Sequence, residues 1–500
     1  MRTRYGRPVP PRLAHATFLA LLMLGAGAIT ACGTSDSNEA PAPASENADA
    51  GALAEAGPCA VVPSADASAP KAAASLLGYD AINVLASPYS AHADGKTDDT
   101  AAIQKAIDDA GRYAMPSAGH YNLPTDPGHG GLVFLPAGNY LVAGALTVPP
   151  YVTLIGEFAG PPSTTTPWVL PSASAPVGTV ILATGNAGAP DAAPLISLGS
   201  DAAVEGIAID YPDQTDTNPP VAYPWSIRSL GIQSSVVNVT LVNAYRGIDF
   251  GNTQTARYFG SGIYGQPLSV GIVTDHSLDI GRLENVHFTP IWRSAMASPA
   301  YTYQRTYGTG ISILRTDWGI FDTIELRGYG HGIYFGSSPV PCTVTGECGS
   351  TNGQLSNVTV EADIGLDITG LSRFGVHLTG FTYTPLAGGV VLLPIWMRAG
   401  GSSGGFLTIT HGTLDGPIQQ AALWQSPSGL TLTDTTIGAW SAAKPSVDLR
   451  AGQLIAQRVT FAAAGSVAIA VTAGARATVT SNKLGGNTLV GTMTAAGNTP

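Results

Sequence analysis

The sequence predicts an all-β fold, a right-handed parallel β-helix (a solenoid) with an N-terminal capping helix, from three observations. First, the pattern G-I-S-I that starts at Gly310 returns as G-I-Y-F at Gly332, after 22 positions. Second, apolar residues in these stretches alternate with period 2, which no helix of period 3.6 would generate. Third, glycine supplies 61 of the 500 residues, which suits many tight turns. Repeats of about 20 to 50 residues indicate stacked units, so each repeat is predicted to form one coil.

The alternation predicts which side chains fill the interior of the coils. The side chains expected inside are Ile311, Ile313, Ile333 and Phe335, with Ser312 and Tyr334 outside. A second pattern, a short strand that ends in a large apolar residue, recurs at Leu241, Phe288, Leu326, Val360, Leu414, Ile437, Phe461 and Leu484. The last three intervals are 23, 24 and 23 residues. We therefore expect a regular stack in which the longer coils carry loops.

Composition favours one large elongated domain over residues 76–500. The chain is 44% apolar and only 11% charged, which excludes disorder of the whole chain. The formal net charge is -11, and it becomes 34 acidic minus 19 basic residues, or -15, without the first 31 residues and their four arginines. Because phosphate binding needs a basic face, the charge argues against a nucleic-acid partner.

Residues 1–31 have the pattern of a signal peptide. Four arginines precede an apolar run from Phe18 to Ile29, which is too short to span a bilayer. The run ends in I-T-A-C-G, which resembles the bacterial lipobox, and the resemblance implies lipidation of Cys32 and a membrane contact through the lipid. The expected location is the cell envelope, at the outer membrane in a Gram-negative source because Gly33 follows the cysteine. With ordinary cleavage the protein would be secreted.

Residues 32–75 are rich in Ala, Ser and Pro and hold almost no large apolar side chains, so they are predicted to form a disordered tether. Farther along the chain, Cys342 and Cys348 are close enough in sequence to form a disulfide in an oxidising compartment. The alternative is that both cysteines are free thiols, and the sequence does not decide between a disulfide and free thiols.

The folded domain begins with a predicted helix. Asp98, Asp99 or Thr100 can cap its N-terminus. The positions expected to form one apolar stripe are Ile103, Ala106, Ile107 and Ala110. We expect this helix to cover the open end of the coil stack, where bare strand edges would otherwise aggregate.

The stretch D-G-K-T-D-D-T-A-A-I-Q-K-A-I, followed by G-G-L-V-F-L-P-A-G-N-Y, resembles the N-terminal region of rhamnogalacturonases, certain epimerases and other members of the pectate-lyase-like superfamily. The resemblance covers roughly residues 79–160. It implies a parallel β-helix and a carbohydrate-related role with a polysaccharide partner, and it does not fix a reaction.

The segment G-H-G-I-Y-F-G-S at residues 330–337 is similar to a segment of polygalacturonases that carries a histidine beside aspartates of the preceding coils. With each coil aligned on its G-I pair, the positions equivalent to His331 are Thr309, Val270, Arg246 and Glu205. None is an aspartate, and the later R-x-K of that family is missing too, so its hydrolytic apparatus is not expected here. A polar turn residue is the favoured interpretation of His331, with catalysis as the alternative.

A different acidic set offers an acid/base pair. In the same alignment, Asp249 lies two places after its glycine, while Asp210 and Asp275 lie four places after theirs. Coils are about 4.8 Å apart and residues about 3.3 Å apart along a strand, so Asp249 and Asp275 should lie roughly 8 Å apart. That separation suits an inverting glycosidase. The alternative is that outward aspartates only keep the face soluble.

Three aromatic segments, residues 211–225, 251–270 and 289–307, interrupt the coils near these aspartates. Loops on a rigid scaffold commonly carry function, and aromatic faces suit sugar rings. The residues predicted to bind substrate are Trp225, Arg246, Trp292, Arg293, Arg315 and Asp317. The two tryptophans could instead pack against the coils. His287 and Glu325, about 5 Å apart across adjacent coils, are a second candidate pair.

These observations predict an extracytoplasmic enzyme that acts on a pectin-like or other acidic polysaccharide. A glycoside hydrolase would use two of Asp210, Asp249 and Asp275 as acid and base. A polysaccharide lyase would use Arg246 or Arg315 as base, beside a Ca²⁺ ion held by carboxylates. A non-catalytic surface module that binds glycan is the third hypothesis. The sequence does not identify the ligands of a metal.

Overall fold

The computed structural model describes residues 81–114, 131–161, 167–339, 349–389, 391–400, 404–463 and 466–500. All of them belong to the second of the two units into which the chain divides, Ser68–Pro500. The predicted signal peptide, the whole tether with Cys32, and Cys342 and Cys348 lie outside the described residues.

Short strands make up most of the described chain. The first elements are β1 (Ile82–Asn83), β2 (Asp94–Asp98), α1 (Thr100–Ala114), β3 (Leu132–Leu135), β4 (Gly138–Val142), β5 (Leu146–Val148), β6 (Thr153–Gly156), β7 (Thr179–Ala183), β8 (Ile196–Leu198) and β9 (Ala203–Asp210). The middle elements are β10 (Trp225–Ser229), β11 (Ser235–Leu241), β12 (Arg246–Phe250), β13 (Phe259–Gly265), β14 (Val270–Thr274), β15 (Arg282–Phe288), α2 (Pro299–Tyr307), β16 (Thr309–Ile313), β17 (Gly319–Phe335), β18 (Gly353–Ile368), β19 (Val376–Pro385) and β20 (Leu393–Met397). The last strands are β21 (Phe406–Thr410), β22 (Thr413–Leu414), β23 (Ala422–Trp424), β24 (Gly429–Thr433), β25 (Thr436–Ile437), β26 (Val447–Leu449), β27 (Gln453–Gln457), β28 (Thr460–Phe461), β29 (Val467–Val471), β30 (Arg476–Thr480), β31 (Thr488–Val490) and β32 (Thr494–Ala496).

The strands pair in parallel into three ladders that run along the stack. The first ladder contains β1, β3, β6, β9, β11, β13, β15, β17, β18, β19, β21, β24, β27, β30 and β32. The second begins with β2, β4 and β7, continues through the C-terminal parts of first-ladder strands, and ends with β22, β25 and β28. The third contains β5, β8, β10, β12, β14, β16, the C-terminal parts of β17 and β18, β20, β23, β26, β29 and β31. The predicted parallel β-helix is confirmed.

The repeat at Gly310 and Gly332 is one step of the third ladder. Ile311 pairs in register with Ile333, and Ile313 with Phe335. All four side chains are buried, whereas Ser312 and Tyr334 are half-buried on the outside. The predicted inward and outward alternation is therefore confirmed here.

A residue in the left-handed conformation bends the chain between the first and second ladders in nearly every coil. The residues at this bend are Gly206, Asn238, Gly262, Asn285, Thr323, Asn357, Gly380, His411, Asp434, Arg458, Ser481 and Gly497, with φ between 49° and 72°. Their strand neighbours pair in register, so the bends stack on one another. Glycine and asparagine tolerate this conformation best, which explains the recurring N-V pairs of the sequence.

Helix α1 occupies the predicted position. Its apolar stripe is buried at Ile103, Ala106, Ile107 and Ala110, and the helix packs against β1, β3 and β5. Its role as a cover for the open end of the stack stays a prediction. Within the described ranges, no helix is long and apolar enough to cross a membrane.

Helix α2 lies in a segment for which the sequence analysis expected only a loop. Ser298 caps its N-terminus, and Pro299 follows at the first helical position, where its missing N–H costs nothing. Asp216 also accepts hydrogen bonds from Ser298 Oγ (2.6 Å) and the N–H of Ala300 (3.0 Å). The 211–225 segment and α2 are thus joined.

Candidate functional site

The outer face of the third ladder brings together four of the predicted site residues, Trp225, Arg246, Asp249 and His331. Two rows of side chains run along it, because equivalent residues of successive strands pair in register. The first row holds Trp225, Arg246, Val270, Thr309, His331 and Ile364. The second row holds Arg228, Asp249, Val273, Ser312, Tyr334, Asp367 and Trp396. We call these the first and second rows.

The predicted alignment was correct for β12, β14, β16 and β17 and wrong for the preceding coil. Glu205 and Asp210 belong to β9, which lies in the first and second ladders. The strand that precedes β12 is β10, and it contributes Trp225 and Arg228 instead. The error arose because Ser226 takes the place of the anchoring glycine in β10, while Gly206 of β9 is a bend residue.

Asp249 is buried and ion-paired on the second row. Its Oδ2 lies 2.8 Å from Arg228 Nε of the preceding coil, and its Oδ1 accepts the N–H of Gly251 at 2.8 Å. Burial raises the pKa of the Asp249 carboxyl; Arg228 opposes this, while the negative charge of Asp275 adds to it. The carboxyl therefore retains its proton to a higher pH than an exposed aspartate.

Asp275 lies just after β14, at the start of the next turn, and it is also buried. Its Oδ1 accepts the backbone N–H groups of His276 (2.8 Å) and Arg315 (3.0 Å), and its Oδ2 accepts Ser338 Oγ at 2.9 Å. Phe250 pairs with Thr274, so the two aspartates occupy neighbouring coils as predicted. Both are more enclosed than outward positions were expected to be.

Asp210 does not share this face. It is buried at the end of β9, where Trp168 Nε1 donates to its Oδ2 at 2.7 Å. Burial raises the pKa of Asp210, and the hydrogen bond from Trp168 opposes the rise. Trp168 also lines an apolar cavity of about 380 Å³ with Phe158, Val169 and Ile291. The prediction that Asp210 joins Asp249 and Asp275 in one site was wrong, because the strand alignment was shifted.

His331 has an acidic partner that the sequence analysis missed. Its Nδ1 lies 2.8 Å from Oδ2 of Asp367 in the next coil, and Arg398 binds both oxygens of Asp367, at 2.6 and 2.8 Å. Burial would raise the pKa of Asp367, but His331 and Arg398 outweigh it and hold the pKa below its usual value. Asp367 follows Gly365 by two places, as Asp249 follows Gly247, so continuing the alignment by one coil would have found it.

The aromatic residues predicted as sugar platforms have mixed surroundings. Trp225 is buried beneath Arg246, whose guanidinium lies 5.8 Å from the ring centre, which fits the packing alternative. Trp292 is half-buried with Arg293 over it at 4.5 Å. Tyr307, at the end of α2, is exposed and lies 5.2 Å from Tyr303.

Arg315 and Asp317 form an ion pair in the turn after β16. They line a cleft of about 530 Å³ together with Trp318, Asn352, Arg373 and Phe374. Asp275 adjoins this turn through its hydrogen bond to the N–H of Arg315.

The second candidate pair also makes contact. His287 Nδ1 lies 2.9 Å from Glu325 Oε2, and its Nε2 lies 2.7 Å from Asn285 Oδ1. Arg327 pairs with the other oxygen of Glu325 at 2.6 Å. The pKa of Glu325 is lowered, first by the hydrogen bond to His287. Both ring nitrogens of His287 are thus engaged by protein groups, which suits a structural pair.

Across the part of the chain that the structure describes, no three His, Cys, Asp or Glu side chains cluster as a metal site would require.

Residues 81–186 match the family model described as "Rhamnogalacturonase A/epimerase, pectate lyase-like". This match confirms the resemblance to the pectate-lyase-like superfamily predicted from the same region. Among curated proteins, none matches the chain in sequence.

Three solved structures are similar to this chain in the path of the backbone. The surface adhesin PfbA of Streptococcus pneumoniae has 13% identity and a TM-score of 0.38, over 84% of this chain and 93% of the adhesin. DFA-IIIase from Arthrobacter chlorophenolicus A6 in complex with GF2 has 11% identity and a TM-score of 0.37, over 83% and 92%. A tailspike protein of E. coli bacteriophage HK620 in complex with hexasaccharide has 10% identity and a TM-score of 0.48, over 83% and 78%.

Proposed function

We propose that the protein is an exported, lipid-anchored glycoside hydrolase that acts on a pectin-like or other acidic polysaccharide, with Asp249 and Asp275 as its acid and base. One observation carries the proposal. Two buried carboxyl groups lie on adjacent coils, Asp249 in β12 and Asp275 directly after β14, and the charge of Asp275 adds to the rise that burial causes in the pKa of Asp249. Glycosidases need two such groups in different protonation states.

The surroundings support different roles for the two carboxyl groups. Asp249, whose pKa burial raises, suits the proton donor to the leaving oxygen. Asp275 accepts two backbone N–H groups and a hydroxyl, which suits a carboxylate that activates water. Arg246 and Arg398 place guanidinium groups along the same face, which favours an acidic substrate.

A non-catalytic glycan-binding module is the second candidate, and a specific observation favours it. All four oxygens of Asp249 and Asp275 accept hydrogen bonds from protein groups. Carboxylates that accept hydrogen bonds in this way can hold coils and turns together without taking part in a reaction.

The test compares the purified protein with Asp249→Asn and Asp275→Asn on a panel of acidic and neutral polysaccharides. New reducing ends indicate hydrolysis, and absorbance of unsaturated uronates would instead indicate elimination, with Arg246 or Arg315 as base. We expect each substitution to lower turnover by roughly 10² to 10⁴, because a proton-transfer step is lost.

The matched control is Asp448→Asn. Asp448 lies several coils away in the continuation of the second row, since Trp396 pairs with Leu423 and Leu423 with Asp448. It forms an ion pair with Arg450 at 3.0 Å, as Asp249 does with Arg228. It should leave turnover unchanged. If both site variants fold and retain turnover within a few-fold of the parent, the acid/base assignment is wrong. If the parent binds glycan and turns over none, the binding module is supported.

A further inference from the structure

The cleft beside Asp275 has the composition of a sugar-binding site. It lies between turns of successive coils and is lined by Arg315, Asp317, Trp318, Asn352, Arg373 and Phe374, with serines at its rim. Trp318 is 57% exposed and Phe374 is 48% exposed. Their ring centres are 5.7 Å apart, so the two rings form one aromatic surface. Exposed neighbouring rings of this kind stack on the apolar face of a sugar.

The backbone of Trp318, one of the two residues that form this surface, has an unfavourable conformation. Its φ is 56°, in the left-handed region that a bulky residue rarely adopts. The buried side chain of Asn352 maintains it: Oδ1 accepts the N–H of Trp318 at 3.0 Å, and Nδ2 donates to Asp317 at 2.8 Å. Residues held in sparsely populated conformations concentrate at binding and active sites.

The charge of the lining is net positive. Asp317 neutralises Arg315, whereas Arg373 makes no ion pair with any residue that the structure describes. Arg373 is exposed and stacks on Phe374 at 4.8 Å, which fixes a guanidinium at the edge of the aromatic surface. Arginine in this setting recognises carboxylate and sulfate groups.

We propose that this cleft is a subsite for an anionic pyranose residue, whose ring stacks on Trp318 and Phe374 and whose carboxylate or sulfate binds Arg373. The inference rests on the proposed function, since it places one residue of the same polysaccharide beside Asp275. Asn352 is a positioning residue that orders Trp318 and Asp317. The site lies in the turns and not on the two rows of the third ladder.

The experiment measures binding of short oligomers to the full chain by titration calorimetry. The probes are oligogalacturonate, its methyl ester, a sulfated galactan oligomer and a neutral cello-oligomer. Oligogalacturonate or the sulfated oligomer should bind more tightly than the other two, and their order identifies the acidic group. Arg373→Gln should weaken binding of the preferred charged probe by roughly tenfold or more and abolish discrimination against the uncharged ones.

Trp318→Asn removes the ring and keeps a residue that tolerates positive φ, and it should weaken binding of every probe that the parent binds. Tyr151→Asn is its control, because Tyr151 is 50% exposed with a φ of 66° at a distant turn. Arg476→Gln, at another exposed arginine, controls for the loss of charge. Both controls should bind as the parent does.

The outcomes separate this proposal from the proposed function. If folded Trp318→Asn and Arg373→Gln bind within about twofold of the parent, the subsite is refuted, whereas turnover that depends on Asp249 would still support the hydrolase. Turnover of a neutral polysaccharide, without binding of either charged probe, would refute the anionic subsite and the acidic substrate class, while the assignment as a glycoside hydrolase would stand. A parent that neither binds nor cleaves any probe or polysaccharide would refute both.

Discussion

At the scale of single residues, the buried aspartates of the coil stack differ in what surrounds them. Asp210 accepts a hydrogen bond from the Trp168 N–H but faces no cation among the residues that the structure describes, and burial raises its pKa. Asp367 faces a histidine and an arginine, and its pKa is lowered although it is buried as well. The two carboxyl groups should therefore affect stability with opposite dependence on pH.

Asp210→Asn should become more stable relative to the parent as pH rises from about 4 to 8. Well below the unfolded pKa of about 3.9, Asp210 is protonated in both the folded and the unfolded chain, so the carboxyl adds no dependence on pH. As pH rises above that value, the unfolded chain loses its proton while the folded carboxyl keeps it, so the parent loses stability until the pH has passed the raised folded pKa. Melting temperatures of both proteins across this range test the sign, and a constant difference would contradict it.

Asp367→Asn should show the reverse. The carboxylate stabilises the folded chain above the unfolded pKa of about 3.9, and that contribution is lost as pH falls through the lowered folded pKa. We expect the variant to be less stable by about 1.5 kcal/mol near pH 7, because Arg398 loses a charged hydrogen-bond partner but is itself 37% exposed and stays hydrated. The deficit in the free energy of unfolding should shrink below pH 4. A deficit that persists unchanged at pH 3 would show that packing and not charge is responsible.

At the scale of elements, the stacked bend between the first and second ladders requires one residue in nearly every coil to adopt the left-handed backbone conformation. Asn285 and Asn357 adopt it with little strain, but Thr323, which lies between them, is β-branched and has a φ of 54°. Left-handed backbone costs such a residue roughly 1 to 2 kcal/mol.

Thr323→Asn should raise the free energy of unfolding by about 1 kcal/mol, because asparagine tolerates the left-handed region. Loss of the hydrogen bond from Thr323 Oγ1 to Asp322 (2.9 Å) partly offsets the gain. Denaturant unfolding measures the difference. Thr359→Asn, in a strand position of the next coil, should be neutral or destabilising; a gain there equal to that at Thr323 would rule out the conformational explanation.

How much of these elements the sequence could predict depends on how local their cause is. The inward alternation at Ile311 and Ile333 and the apolar stripe of α1 follow from spacing alone, so both were predicted. The place of β10 was not, because Ser226 replaces the glycine that marked the other coils. The partnership of His331 with Asp367 joins different coils across a long insertion. Burial of Asp249 depends on its ion pair with Arg228. Arg228 lies in β10, the strand that the predicted alignment misplaced, so this pair was not predicted.

At the scale of the whole molecule, the two ends of the stack differ. Helix α1 packs against β1, β3 and β5 at the N-terminal end, whereas β32 at the C-terminal end is exposed throughout. In a stack of coils, stability comes largely from contacts with immediate neighbours, so an exposed strand such as β32 opens more easily than strands in the middle of the stack.

Amide hydrogens of β30 and β32 should therefore exchange at least roughly tenfold faster than those of β16 and β17 in the middle of the stack. If α1 covers its end as predicted, β1 and β3 should exchange more slowly than β32. Hydrogen exchange read by mass spectrometry gives both comparisons. Equal protection in β32 and β16 would contradict the account of the C-terminal end, and equal exchange in β1 and β32 would contradict the covering role of α1.

The regular register also determines how readily residues at different positions can be substituted without loss of the fold. An interior position of a coil needs only an apolar side chain of suitable volume, and several residue types meet that need almost equally well. Residues 81–186 include helix α1 and turns that depend on particular side chains, such as the buried Asp99, which accepts the N–H groups of His92 (2.6 Å) and Ala93 (3.0 Å). Fewer substitutions satisfy those demands. In related proteins the sequence at the start of the stack, where the family match lies, should therefore stay recognisable. The later coils should keep their fold while their sequences diverge.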